Sequence, residues 1–260
     1  MGTVQGVAEW LPVSSEGLIF LIKANFFTSG GAVEILKLAL FLHLGTFLAA
    51  LVYFHQEVFG LIKILFRYKE AEKEKRKILN FLIISTIVTA FLGGGLYLLG
   101  EKLEDIKLGA QGITLIIGVL LLITAYLQFR SQKIKTNKLK KYRDITYKDG
   151  LILGLAQAVA AFPGLSRSGL TVSALLLRKF QEEKALKLSF LMSLPVVLGG
   201  NIILNKDKFV FSGPYFWALV FSFLFGLLTI DLLLKVARRF NFAWFVLGFG
   251  ILTIVSVFLI

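Results

Sequence analysis

Six long apolar stretches constrain the fold of this chain more than any other feature. They lie at Ile35–Phe54, Ile78–Leu99, Leu108–Leu127, Ala185–Leu204, Pro214–Leu234 and Phe242–Ile260. Each is about as long as a helix that crosses roughly 30 Å of hydrocarbon. Hydrophobic residues make up 57% and charged residues 17% of the chain, against roughly 45–50% and 25% in a soluble domain. The sequence therefore predicts an all-α integral membrane protein with six transmembrane helices.

The basic residues predict how the chain is oriented in the membrane. The net charge is +13, and the 29 basic residues fall mostly in short runs between the apolar stretches. Twenty-one lie on one side, within 67–77, 130–148, 178–187 and 235–239, and six lie on the other. Cytoplasmic loops are enriched in Lys and Arg, so the richer side is predicted to be cytoplasmic and the acidic segment Glu101–Asp105 external. The expected surroundings are the cell membrane, and no nucleic-acid partner is predicted. No cleavable signal peptide is expected.

Two further apolar segments are too interrupted to cross the membrane. They are Gly2–Asn25 and Gly150–Leu177, and each has an apolar half, then Pro, Gly and Ser, then a second apolar half. Each half is about ten residues, or roughly 15 Å of helix, which is half of the hydrocarbon thickness. Both segments are therefore predicted to be re-entrant helical hairpins. The alternative is that both are ordinary kinked spans.

The two interrupted segments also form an internal repeat. A shift of 152 positions without a gap places Gly2 on Gly154, Gln5 on Gln157, Ser14 on Ser166 and Gly17 on Gly169. Three predicted spans separate the hairpins, and this odd number makes the two halves inverted. The predicted organisation is one membrane domain, 1–260, with a first repeat at 1–127, a basic connection at 128–149 and a second repeat at 150–260. Inverted repeats with broken helices place a site near the membrane midplane, where the two tips meet.

The tip of the second hairpin predicts an anion site. Arg167 lies between Ser166 and Ser168 in apolar surroundings, and an intramembrane arginine is costly enough to be a functional candidate by default. Its planar guanidinium suits phosphate oxygens. The helices that begin near Ser15 and Ser168 add free N–H groups and the positive ends of their dipoles. A phosphate-like ligand is therefore expected.

The tip of the first hairpin supplies candidate catalytic groups. Gln5 and Glu9 are four residues apart and share a helix face, and Glu9 could hold a hard divalent cation or act as a base. Ser14 and Ser15 follow, and Ser15 is a candidate nucleophile if a base takes its proton. His43 could face the site, although a packing histidine fits its position as well. The alternative is that Glu9 only pairs with Arg167 and that the serines only cap helices.

The sequence resembles the undecaprenyl-diphosphate phosphatases, also called bacitracin-resistance proteins. "QGVAEWLPVSSEG" is similar to their first signature, a Glu or Gln four residues before Glu and then a Pro-x-Ser-Ser tip. "PGLSRSGLT" is similar to their second, and the resemblance covers nearly the whole chain. It implies a membrane enzyme that removes the terminal phosphate of a C55 polyprenyl diphosphate. This reaction recycles the lipid carrier of cell-envelope glycan synthesis, and the family depends on Mg²⁺ or Ca²⁺.

The resemblance also implies roles for individual residues. Glu9 matches the essential glutamate, with Gln5 as the preceding Glu or Gln, and both are candidates for the metal. Ser15 matches the proposed nucleophile and Arg167 the arginine that binds phosphate. The implied substrate-binding residues around them are Gln5, Ser14, Gly164, Ser166, Ser168 and Thr171. Leu18 stands where bacterial members have a histidine, so Glu9, His43 or a metal-bound water would have to serve as the base.

Two other functions remain open from the sequence alone. Opposed re-entrant hairpins in inverted repeats are also a transporter architecture, so the protein could flip a polyprenyl phosphate with little or no hydrolysis. A purely structural membrane protein is the third alternative, but it leaves Glu9 and Arg167 in apolar surroundings without an explanation.

Overall fold

The protein is all-helical throughout the residues that the structure describes. The computed structural model describes residues 1–11, 13–26, 32–102, 110–133, 139–162, 164–205, 213–239 and 241–258. The α-helices of these residues are α1 (Gly2–Ala8), α2 (Ser15–Phe26), α3 (Ala32–Tyr53), α4 (His55–Phe66), α5 (Lys73–Lys102), α6 (Ala110–Gln132), α7 (Tyr147–Val159), α8 (Arg167–Leu177), α9 (Glu182–Leu204), α10 (Pro214–Arg239) and α11 (Phe242–Val257). A short 3₁₀ helix covers Tyr142–Asp144.

The six predicted spans coincide with helices α3, α5, α6, α9, α10 and α11. Four of these, α5, α6, α9 and α10, are long and apolar enough to cross a membrane within the described residues. Helices α3 and α4 together make a fifth candidate, bent by 85° between them. Helix α11 has 16 residues and is one of the shorter apolar helices. The predicted boundaries Leu108 and Ile260 and the acidic segment beyond Lys102 lie outside the described residues.

Both interrupted segments consist of two helices, and the described residues between them, 9–11 with 13–14 and 160–162 with 164–166, are not part of either helix. Helices α1 and α2 flank residues 9–14, and helices α7 and α8 flank residues 160–166. Helix α7 begins three residues before the predicted Gly150, because Thr146 and Asp149 form a capping box. The Thr146 hydroxyl accepts the Asp149 N–H, and the Asp149 carboxylate accepts the Thr146 N–H.

The short helices that lead into the tips pack closely against long helices. Helix α1 contacts α10, and α7 contacts α5. Glycine permits both approaches: a Cβ on Gly2 would lie 2.0 Å from the Ala218 carbonyl oxygen, and one on Gly154 would lie 2.6 Å from the Val88 Cβ. The Trp10 indole N–H also donates to the Gly226 carbonyl of α10 at 2.9 Å. These contacts hold the two tips in the interior of the bundle.

Helix α4 lies where the sequence predicted only part of a basic loop. It follows the bend at Phe54 and carries exposed apolar side chains, among them Phe59 and Phe66 at 69% and 82% exposure. Its Glu57 accepts from Lys187 of α9 at 2.5 Å. The helix therefore exposes an apolar surface and is joined to the bundle by the ion pair between Glu57 and Lys187.

Candidate active site

The two tips contact each other through serine hydroxyls and backbone groups. The Gly164 N–H donates to the Ser14 hydroxyl at 3.2 Å. In the opposite direction, the Ser166 hydroxyl donates to the Val13 carbonyl and the Ser168 hydroxyl donates to the Leu11 carbonyl, both at 3.0 Å. These hydrogen bonds satisfy backbone groups of the tips that would cost free energy if they were buried without partners.

Ser14 and Ser166 also cap the helices that follow them. The Ser14 hydroxyl accepts the Gly17 N–H, and the Ser166 hydroxyl accepts the Gly169 N–H, each at 3.0 Å. Both residues are thus engaged twice, once with their own helix and once with the other tip. Gly164 of the second tip has a φ of +102°, a backbone conformation that residues other than glycine rarely adopt.

Glu9 is the centre of the side-chain cluster between the tips. Its Oε2 accepts from Gln5 Nε2 at 2.9 Å and from the Ser15 hydroxyl at 3.1 Å, and it lies 3.1 Å from His43 Nε2. Its Oε1 accepts from Arg167 Nη2. Glu9 is only 6% exposed, so four donors around one carboxylate compensate for the loss of water.

His43 faces this cluster from α3. Its Nδ1 lies 2.7 Å from the Ala39 carbonyl, to which only a protonated nitrogen can donate. Its Nε2 is directed at the carboxylates of Glu9 and Glu16, at 3.1 and 3.8 Å. Both predictions for His43 therefore hold. It packs with a hydrogen bond to its own helix, and it also faces the site.

Arg167 joins the second tip to Glu9 of the first. Besides the pair that Nη2 makes with Glu9, its Nη1 is buried and has no hydrogen-bond partner among the described residues. A buried guanidinium N–H without a partner is costly. The arginine thus has a free donor for a further anion.

The polar groups between the tips line a small open pocket, with a cavity volume of about 20 Å³. Of the residues predicted for the site, six line it: Glu9, Ser14, Ser15, His43, Arg167 and Ser168. Four others lie outside its lining: Gln5, Gly164, Ser166 and Thr171. Gln5 supports Glu9 from behind. The Thr171 hydroxyl lies 2.6 Å from that of Ser189 on α9, so Thr171 joins two helices there.

Glu16 is a lining residue that the sequence analysis missed. It is the second residue of α2, directly after Ser15, and its carboxylate faces the pocket. Acidic residues are common in the first turn of any helix, which is why its position alone did not distinguish it. Its place beside the tip serines was the available signal.

The chemistry of the donors fits a hard divalent cation, although the described residues contain no ready group of three or more His, Asp or Glu side chains. Mg²⁺ usually binds through one or two carboxylates together with phosphate oxygens of the substrate. Glu9 provides a carboxylate, and the buried amide oxygen of the adjacent Gln5 has no hydrogen-bond partner among the described residues. Both are oxygen donors of the kind that Mg²⁺ and Ca²⁺ prefer.

Comparison with known proteins gives one consistent result. The family model described as "Bacitracin resistance protein BacA" matches residues 1–255. A protein of Methanococcoides burtonii named undecaprenyl-diphosphatase is 40% identical over 100% of this chain and 97% of its own length. Proteins with the same name from Methanothrix thermoacetophila and Saccharolobus solfataricus are 33% and 34% identical, each over 98% of this chain and 93% of their own length.

Proposed function

Because the chain belongs to the family of the bacitracin resistance protein BacA, we propose that it hydrolyses undecaprenyl diphosphate to the monophosphate and inorganic phosphate. The similar proteins carry the name of this activity over nearly the full chain. The observation that carries the proposal is the junction of the two tips, where Ser15, Glu9 and the free donor of Arg167 border one pocket. The released monophosphate returns the lipid carrier to cell-envelope glycan synthesis.

In the membrane, the proposed arrangement has six transmembrane helices and two re-entrant hairpins in an inverted repeat. Matching contacts in the two halves support the repeat. Helix α1 packs on α10 as α7 packs on α5, and Ser14 caps α2 as Ser166 caps α8. Helix α4 then lies along the membrane surface, where its exposed phenylalanines enter the lipid. The basic loops face the cytoplasm in this arrangement.

The pocket binds the diphosphate while the polyprenyl tail stays in the lipid. The free Nη1 of Arg167 donates to an oxygen of the terminal phosphate, and the N–H groups at the starts of α2 and α8, which begin at the pocket residues Ser15 and Arg167, are further candidate donors. Glu9 keeps the guanidinium in position through Nη2. These donors are present before the substrate arrives, so they stabilise negative charge on the transferred phosphoryl group without reorganising.

Ser15 is the nucleophile in this mechanism, and Glu9 is its base. The Ser15 hydroxyl already donates to Glu9 Oε2, so its proton passes to Glu9 as its oxygen bonds to the terminal phosphorus. The bond from that phosphorus to the bridging oxygen breaks, and polyprenyl monophosphate leaves. Water then attacks the phosphoserine, which releases inorganic phosphate and restores the serine. Leu18 lies in an apolar cluster, so the chemistry proceeds without the histidine that bacterial members have there.

A divalent cation is part of the proposal. Glu9 would hold it, with the Gln5 amide oxygen as a second candidate ligand. The cation would offset the charge of the diphosphate, which one arginine does not balance.

The test is release of inorganic phosphate from a C55 polyprenyl diphosphate by the purified protein in detergent, with Mg²⁺ and then with EDTA. Ser15→Ala is expected to lower the rate at least about 1,000-fold, because it removes the nucleophile. Ser193→Ala is the control, since that buried hydroxyl only donates to the Phe190 carbonyl of its own helix. Activity of Ser15→Ala close to wild type would refute the serine mechanism.

No release by well-folded wild-type protein would refute the phosphatase itself. The flippase alternative predicts that outcome, because transport needs two membrane sides and hydrolysis does not. The comparisons give that alternative no support, since the names of the similar proteins denote hydrolysis.

A further inference from the structure

Glu16 differs from every other charged group that lines the pocket. Glu9 receives donors from Gln5, Ser15 and Arg167, so both of its oxygens already accept hydrogen bonds. The carboxylate of Glu16 has no hydrogen bond from any described residue, and its nearest positive partner is His43 Nε2 at 3.8 Å. Its side chain is 26% exposed, and the exposed part borders the pocket.

A half-buried carboxylate in this position costs free energy unless a cation accompanies it. The neighbouring positive groups, Arg167 and His43, both lie closer to Glu9 than to Glu16. Arg167 is committed to Glu9 through Nη2. His43 is closer to Glu9, at 3.1 Å, than to Glu16.

A second observation is an unpartnered oxygen on Gln5, the residue whose amide donates to Glu9. Gln5 is fully buried, its amide N–H₂ donates to Glu9, and its amide oxygen has no hydrogen-bond partner among the described residues. An unpartnered buried acceptor needs a donor or a cation. The region around Glu9 thus contains one free carboxylate and one free amide oxygen, and both are hard ligands.

We propose that Glu16 is a ligand of the divalent cation and shares it with Glu9 and the phosphate oxygens of the substrate. This inference rests on the proposed phosphatase function, because the substrate completes the coordination. It explains how Glu9 can stay bonded to Ser15 and Arg167, since Glu16 supplies a carboxylate to which no described residue donates a hydrogen bond. Two carboxylates plus substrate phosphates are the usual protein environment of Mg²⁺.

The test measures metal binding separately from turnover. The full-length protein in detergent is titrated with Mn²⁺, and free Mn²⁺ is followed by electron paramagnetic resonance. Glu16→Gln is expected to weaken Mn²⁺ binding at least about tenfold, and to raise the Mg²⁺ concentration that half-saturates phosphate release. Glu183→Gln is the matched control, because Glu183 is likewise the second residue of a helix but lies on α9 and is exposed.

Wild-type Mn²⁺ affinity in a folded Glu16→Gln variant would overturn the inference. Thermal unfolding in EDTA checks that the variant is folded. If Glu16→Gln does not fold, Glu16→Asp retains the charge and retracts it by one methylene, and unchanged affinity in that variant would be equally contrary. Absence of phosphate release from the wild type would instead overturn the proposed function, so the two failures are distinguishable.

Discussion

At the residue scale, neighbouring polar residues of the tips have different hydrogen-bond partners. Ser14 and Ser15 are adjacent, yet Ser14 accepts two backbone N–H groups whereas Ser15 donates to Glu9. Ser166 and Arg167 are adjacent as well, and of these two only Arg167 has a donor, Nη1, without a hydrogen-bond partner among the described residues. A hydroxyl that is used twice for backbone contacts is not free to react. The chemistry is therefore assigned to Ser15, Glu9 and Arg167, and the support to Ser14 and Ser166.

Arg167→Lys separates the charge of the arginine from its shape. A lysine keeps the positive charge beside Glu9 but lacks the planar fork that reaches both Glu9 and a phosphate. We expect kcat/KM for phosphate release to fall about 100-fold, while the variant remains folded because Glu9 keeps a cation. Arg143→Lys, at an exposed position of the 3₁₀ helix, is the control. A rate within about threefold of wild type would show that the fork is not needed.

At the element scale, the short helices α1 and α7 depend on glycine for their close contact with long helices. Gly2 and Gly154 are equivalent under the internal repeat, and in both a Cβ would lie closer than 3.0 Å to the opposing helix. Small residues let helices approach closely where the hydrophobic effect does not drive them together. The position of each tip follows from this contact.

Gly154→Ala is expected to destabilise the protein. The added methyl group would meet Val88 and the Ser85 carbonyl of α5, and overpacking of this kind costs about 1–3 kcal/mol. The measurement is the apparent unfolding temperature in detergent. Gly94→Ala on α5 is the control, because nothing lies within 4 Å of its Cβ position, and alanine favours a helix over glycine. An equal shift in both variants would argue against the packing explanation.

The start of α7 provides a prediction about pH. Asp149 is fully buried outside the candidate membrane-spanning helices. Burial would raise its pKa, but hydrogen bonds from Thr146 and Arg178 outweigh burial and hold the pKa of this carboxyl below its ordinary value. A lowered pKa in the folded state stabilises the protein above the unfolded pKa, which is about 3.9, and this stabilisation is lost as the pH falls below it.

Asp149→Asn is therefore expected to lower the unfolding temperature at pH 7, and the difference from wild type should narrow below about pH 4. The measurement is the unfolding temperature of both proteins from pH 7 to below about pH 4. Asp144→Asn is the comparison, because Asp144 is an exposed carboxylate of the adjacent 3₁₀ helix. A difference for Asp149→Asn that does not change with pH would contradict the assignment of the effect to charge.

At the scale of the whole molecule, the site exists only because the two halves of the chain meet. Glu9 and Ser15 belong to the first hairpin, Arg167 to the second, and His43 to α3. The hydrogen bonds of Ser14, Ser166 and Ser168 join the tips across 150 to 157 positions of sequence. Equivalent positions carry different chemistry, since the shift of 152 that aligns the repeats places Ser15 on Arg167. In the proposed mechanism, one repeat thus supplies the serine nucleophile and the other supplies the guanidinium of Arg167.

The orientation in the membrane is testable because the chain has no cysteine. Lys75→Cys lies on the basic side and Tyr215→Cys at the start of α10 on the other, and both positions are exposed. A membrane-impermeant thiol reagent added to intact cells is expected to label Tyr215→Cys only. Lys75→Cys should react after the membrane is opened. The reverse pattern would place the basic loops outside.

The sequence by itself determined the helices, the breaks and the residues able to carry chemistry. Apolar length and the Pro, Gly and Ser interruptions act locally, so the long apolar helices and the breaks in both interrupted segments were predictable from the chain alone, whereas the number of six membrane spans stays a prediction. Glu9, Ser15 and Arg167 were identifiable because polar groups in apolar segments cost free energy and are therefore candidates for a function. Helix α4 was missed because its apolar residues fall within a segment rich in charge.

Only the tertiary structure decided which groups face each other. Helices such as α3 are apolar nearly all round, so their sequence does not show which face meets protein and which meets lipid. The direction of His43 towards Glu9 therefore could not be predicted. Glu16 resembled an ordinary residue of a first helical turn, and its exposure to the pocket depends on contacts between distant segments. Hydrogen bonds across the two tips likewise engage Ser14, Ser166 and Ser168, whereas Ser15 bonds to Glu9, and such long-range pairing is not encoded in local spacing.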